Sequence, residues 1–184
     1  MNRPEALELL HDYIKNPRMI SHCLASEAVL KALAKKLGRD EDKWALAGLL
    51  HDLDVELVND DPKIHGLKTA EILESKGVDA EVIDAIKMHN EMATGLDRTT
   101  EYQHALCCGE TITGMITATT LVYPDKKLAS VKPKSITKRM KSAAFAASVS
   151  REKIKECELI GIPLAEFAAL SLEAMREISD DLGL

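Results

Sequence analysis

Apolar residues recur at helical spacing through almost the whole chain, and no stretch alternates as a half-buried strand does. Proline and glycine punctuate the pattern. Pro4 suits a first helical turn, and Ala6, Leu7, Leu10, Tyr13 and Ile14 form one stripe behind it. Asn16-Pro17 ends that segment, and a longer helix runs to about Leu37 and closes at Gly38. A third spans about Asp42 to His51 and stops at the cluster Asp52–Asp54. Pro62 is expected to open a fourth, ending at Gly77, and Asp79 to cap a fifth that reaches His89. Thr100–Val122 is rich in threonine, which weakens intrinsic helicity, yet its inward pattern persists to Pro124. Ser150–Ile160 and Leu164–Leu182 read as the closing helices, the last with the stripe Leu164, Ala168, Ser171, Met175, Ile178 and Leu182. The pattern predicts an all-α protein. Neither an internal repeat nor a glycine-rich phosphate loop interrupts it.

Composition narrows the options. At 184 residues and 46% hydrophobic content, the chain is expected to form one domain with a substantial core. A formal charge of -6 disfavours a duplex nucleic-acid partner, which rewards a basic face. Aromatic residues are only 3%, too few for base-stacking platforms. Cys23, Cys107, Cys108 and Cys157 form no CxxC pair, so no thiolate zinc site is indicated. Scattered cysteines without a basic-then-apolar leader point to the cytoplasm, and no apolar run is long enough to span a bilayer.

The informative residues are polar ones in apolar company. His22 shares a helical face with Ala25, Ser26 and Val29, and His51 follows Trp44 and Ala47. His65 precedes Thr69 and Ile72, and His89 follows Val82 and Ile86. Glu110 lies between Leu106 and Gly114 on its own face. A lone inward histidine is more often a satisfied core residue than a ligand. Four of them with an inward acid, on successive segments, are costly to bury unless they are paired or bind a metal. Imidazole and carboxylate together suit Mn, Fe, Co, Ni or Zn. Asp52 and Asp54 sit where a helix ends, and acids there are disfavoured by the helix dipole, which counts against plain solvation.

The ordered set of His22, His51-Asp52 and a late acid resembles the HD superfamily of metal-dependent phosphohydrolases. The local wording is Arg18-x-x-x-His22, then Ala47-Gly48-Leu49-Leu50-His51-Asp52-Leu53-Asp54, His65-Gly66, and Ala85-Ile86-x-x-His89-Asn90. The resemblance covers roughly the first two-thirds of the chain, and the remainder looks like the end of a small HDIG-like branch. It implies a single-domain HD-type helical bundle over 1–184, with a metal-binding core at about 18–123 and a basic segment and helices over 124–184. It further implies that His22, His51, Asp52 and the late acid hold one metal. His65 and His89 would hold a second metal or contact substrate. The family normally has Asp as the late acid, whereas this chain offers Glu110, one methylene longer, with Asp125 as the fallback.

Further expectations surround that centre. Arg18, one turn before His22, could hold a phosphate bidentately. Asp52 serves the chemistry directly, and Asp54, or less favourably Glu56, would position or deprotonate the attacking water. The segment from Lys126 to Lys141 carries no acid, and Lys132 or Lys134, flanking Pro133, could reach substrate. Trp44 belongs to the core, and His11 and His104 to no motif. The expected reaction is hydrolysis of a phosphate ester or anhydride of a small phosphorylated metabolite by metal-activated water, with one or two divalent ions per chain. A nucleotide substrate follows from family analogy alone. The rivals are a dinuclear phosphodiesterase or dinucleoside polyphosphate hydrolase, and a drifted module that binds a nucleotide or partner without turnover. Neither nucleic acid nor membrane is an expected partner, and a homo-oligomer remains open.

Overall fold

The computed structural model describes residues 1–184 and contains helices but no strand. The helices are α1 (Arg3–Tyr13), α2 (Pro17–Leu37), α3 (Glu41–Leu50), α4 (Leu67–Ser75), α5 (Ala80–Met88), α6 (Glu91–Thr94), α7 (Glu101–Leu121), α8 (Pro133–Arg139), α9 (Arg151–Lys155), α10 (Leu164–Glu177) and α11 (Ser179–Leu182). No helix is long and apolar enough to cross a membrane.

Local chemistry sets most of the boundaries. Asn2 and Glu5 close a reciprocal capping box on α1, and Thr100 and Gln103 do the same for α7. Asn16, Asp40 and Asp79 accept amide hydrogens at the starts of α2, α3 and α5. Gly38 ends α2 in the left-handed conformation at φ 67°.

The two long helices, α2 and α7, pack together, with α3 and α10 also against α2. Residues from Ala6 to Met175 join one continuous apolar core. Gly48 is what lets α3 come so close to α2. A Cβ added there would lie 2.6 Å from the Ser26 carbonyl oxygen, so any larger residue would push the helices apart. That contact sits one turn from both His22 and His51. Trp44 stacks on Tyr102 at 5.0 Å between ring centroids, and the Tyr102 hydroxyl donates to the Lys43 carbonyl, pinning α3 to α7.

The fourth helix differs from expectation. Pro62 does not open it: residues 51–66 run as successive turns, and α4 starts only at Leu67. Gly66, at φ 88°, breaks the helical path, and the first-turn amides of α4 are satisfied from outside. The amides of Gly66 and Thr69 donate to the Asp54 carboxylate at 2.8 and 3.0 Å. His65 therefore lies on a turn. The closing segments are also more broken than their apolar stripe suggests. A helix over Arg151–Lys155 passes into a 3₁₀ turn at Glu156–Glu158, and the last long helix stops at Glu177.

Candidate metal centre

His51 and His89 occupy the C-cap positions of α3 and α5. Each ring turns back so that its Nδ1–H donates to a carbonyl three residues earlier, Gly48 O at 2.9 Å and Ile86 O at 2.5 Å. His22, from α2, donates from Nδ1 to the Thr113 hydroxyl at 2.9 Å. That hydroxyl must accept, because its own hydrogen goes to the Glu110 carbonyl at 2.7 Å. His65 donates from Nδ1 to Asp54 at 2.7 Å. All four histidines thus have Nδ1 engaged and Nε2 turned inward, the arrangement that an acceptor behind the ring imposes on metal-binding imidazoles.

The Nε2 atoms converge around Asp52. Its Oδ2 lies 3.5 Å from His22 Nε2, and its Oδ1 lies 3.3 Å from His51 Nε2. The same Oδ1 is 3.0 Å from His65 Nε2 and 3.6 Å from His89 Nε2. His22 and His51 face each other at 3.1 Å, as do His65 and His89. Two ligand sets result, His22–His51–Asp52 and His65–His89–Asp52, each with its donor atoms within 4.8 Å of one another. An ion with bonds of about 2.1 Å places neighbouring ligand atoms about 3.0–3.4 Å apart, in octahedral or tetrahedral geometry. The donor set fits a divalent cation. Glu110 Oε2 stands 3.9 Å from His22 Nε2 and belongs to neither set.

Electrostatics point the same way. Complete burial pushes His51 down to about 3, so it is a neutral ligand across the physiological range. Burial alone would raise Asp52, but His51, His65 and His89 hold it well below the usual carboxylate range. Burial raises Glu110, partly offset by His22 and His89. Burial also disfavours charge on His65, yet Asp52 and Asp54 outweigh it and carry this ring up to about 10. The C-termini of α3 and α5, where carbonyl dipoles leave partial negative charge, both end at the centre. Buried carboxylates and two negative helix ends are what a cation would neutralise.

Several expected roles change. Asp54 is fully buried, and its two oxygens accept from His65 and from the start of α4, so it orients the His65 ring. Glu56 caps the turn between α1 and α2 by accepting from the Lys15 and Asn16 amides. Asp125 is exposed, accepts from the Lys127 amide at 3.2 Å, and is no substitute for Glu110. Lys132 and Lys134 are exposed beyond the far end of α7, and the Lys132 amide donates to the Tyr123 hydroxyl. Glu110 and Tyr123 are thirteen positions apart, about 20 Å of helix rise, so these lysines do not reach the histidines. Arg18 is exposed at the start of α2, one turn from His22, with no side-chain partner.

Other contributors carry no motif. Asn90 donates to the carbonyls of Pro62 and His65 at 2.8 and 2.9 Å, tying the turn that carries His65 to the end of α5. Gly66 leaves room for His89: a Cβ there would lie 3.1 Å from the ring carbon Cε1. His104 pairs with Glu156 at 2.7 Å, away from the centre.

The fold and site define an all-α protein built around a buried histidine–aspartate cluster. A family model described as HD domain matches residues 19–121, a span that contains all six of His22, His51, Asp52, His65, His89 and Glu110. The chain belongs to the HD-domain family, the superfamily of metal-dependent phosphohydrolases. Searches among curated proteins and among solved structures found no match.

Proposed function

We propose that this chain hydrolyses a phosphate ester or anhydride of a small phosphorylated metabolite, a nucleotide by family analogy. The observation that carries the proposal is the common orientation of the four rings. Each Nδ1 is committed to an acceptor and each Nε2 is aimed at Asp52. A divalent ion held there would lower the pKa of a bound water and polarise a phosphoryl oxygen.

The chain's own residues divide the remaining work. His22, His51 and Asp52, with Glu110 at the edge, hold one position, and His65, His89 and Asp52 hold the other. Asp54 and Thr113 fix ring orientation. Arg18, unpaired and one turn from His22, is free to meet a phosphate oxygen. The two ligand sets sharing Asp52 favour the dinuclear reading.

Metal per chain, measured on protein purified without chelator beside His51→Ala and Asp52→Ala, is the first test. Near two equivalents in the parent, with Asp52→Ala losing both, supports the dinuclear centre and justifies a screen of phosphomonoesters, phosphodiesters and nucleotides. A parent that takes up none of Mn, Fe, Co, Ni or Zn overturns the hydrolase reading and leaves the binding module.

A further inference from the structure

The end of α5, which delivers His89, is gripped from outside the centre. Arg98 Nη1 donates to the Met88 carbonyl at 2.9 Å, and Lys153 Nζ donates to the His89 carbonyl at 3.3 Å. These two oxygens belong to the two peptide planes that flank the His89 Cα. Each plane is rigid, so fixing both restricts φ and ψ of His89 and with them the exit of its side chain.

Both cations are themselves braced. Arg98 makes a bidentate pair with Glu156, with Nε and Nη2 at 2.8 and 2.6 Å from its two oxygens. Glu156 also accepts from His104 at 2.7 Å and meets the Cys107 thiol at 3.6 Å, on α7. Glu91 reaches Arg98 and Lys153, each at 3.0 Å. Arg98 and Glu156 are largely buried, so this is a fixed lattice and not a pair of mobile surface charges. Lys153 and Glu156 lie on the Arg151–Glu158 segment, beyond the residues matched by the HD-domain model.

We propose that Arg98 and Lys153, braced by Glu156 and Glu91, are positioning residues for the His65–His89–Asp52 set, so that the C-terminal segment sets metal affinity in that half of the centre. The proposal rests on the metal-centre reading above. It is selective because His22 and His51 take their orientation from Thr113 and Gly48 and share none of these contacts.

The test is a metal titration of the full chain with Mn or Co, following both equivalents in the parent, Lys153→Met, Glu156→Gln and a His89→Ala reference. Removing a group that orients a metal-binding histidine typically costs about 10–100-fold in metal affinity. Affinity for the equivalent that His89→Ala loses should fall by about that factor in Lys153→Met and Glu156→Gln, while the one retained by His89→Ala stays at its parent value. Thermal melts run alongside. Glu156→Gln removes the charge from a largely buried ion pair and can lower the melting temperature. Lys153→Met removes only a partly exposed amine, so it preserves the test if the first variant unfolds. Two equivalents bound by Lys153→Met at parent affinity would overturn the proposal, as would a parallel loss of both. A parent that binds no more than one ion overturns the dinuclear reading, and this proposal with it.

Discussion

Asp54→Asn separates orientation from chemistry at the centre. Asp54 accepts three hydrogen bonds, from His65 Nδ1 at 2.7 Å, Gly66 N at 2.8 Å and Thr69 N at 3.0 Å. An asparagine has one accepting oxygen. Turned towards the two amides, which keeps α4 capped, it presents its NH₂ to His65 Nδ1. That nitrogen must then accept, and the ring hydrogen moves to Nε2, which faces Asp52 as a donor and no longer ligates. Metal affinity in the His65–His89 half should fall about 10–100-fold, or roughly 1.4–2.8 kcal/mol. Loss of the charge-assisted bond should also cost about 1.5–3 kcal/mol of stability, a drop in melting temperature of roughly 3–12 °C for a chain of this size. The assay is a competition titration against a chromophoric chelator, with melts of metal-free protein. If Asp54 worked directly on water, Asp54→Asn would keep both ions at full affinity and lose turnover only. That result would refute the tautomer argument.

Four further tests probe the rest of the centre. Glu110→Ala should weaken metal in the His22–His51 half and abolish turnover, while Glu110→Asp should retain the ion; unchanged metal and turnover in Glu110→Ala would remove Glu110 from the site. Metal uptake should release protons at pH 8, because His65, carried up to about 10 in the metal-free centre, must give up its proton to ligate; calorimetry in buffers of different ionisation enthalpy reads this directly. The same raised value stabilises the metal-free fold fully below the ordinary imidazole pKa of about 6.5, and that contribution is lost as pH rises through about 10; equal pH dependence of melting with and without metal would contradict it. Gly48→Ala should cost about 1–3 kcal/mol by forcing its methyl against the Ser26 carbonyl, and should loosen metal held by His22 and His51; a melting temperature at the parent value would show that α2 and α3 can separate freely.

How much of this was legible in the sequence depends on the range of the interactions involved. Helix starts at Asp79 and Thr100, the Gly38 stop and the inward faces of His22, His51, His89 and Glu110 all follow from neighbours within one or two turns. The late start of α4 was not legible, because its amides are satisfied by Asp54, twelve and fifteen positions earlier. The place of Lys132 and Lys134 was not legible for a related reason: a basic segment shows its charge in sequence but not its distance along α7. The roles of Thr113, Asn90, Arg98 and Lys153 are tertiary, and nothing in their local sequence distinguishes them from ordinary polar residues.

The four rings show where that boundary falls within a single site. His51 and His89 each end a helix, where carbonyls of the last turn lack an intrahelical partner. A histidine at such a position has its orienting acceptor built in, three residues back, and its Nε2 then projects beyond the helix end. The same helix end favours a cation through its dipole. The local signal is therefore an apolar helix whose final position is histidine, and both halves of the centre are founded on one. His22 and His65 have no such local acceptor. They borrow Thr113 and Asp54, at separations of 91 and 11 residues, and each completes the half begun by a helix-ending partner. Each ligand set thus pairs a ring oriented by its own helix with a ring oriented by the tertiary fold. Metal affinity in both halves should accordingly respond to substitutions that touch no ligand.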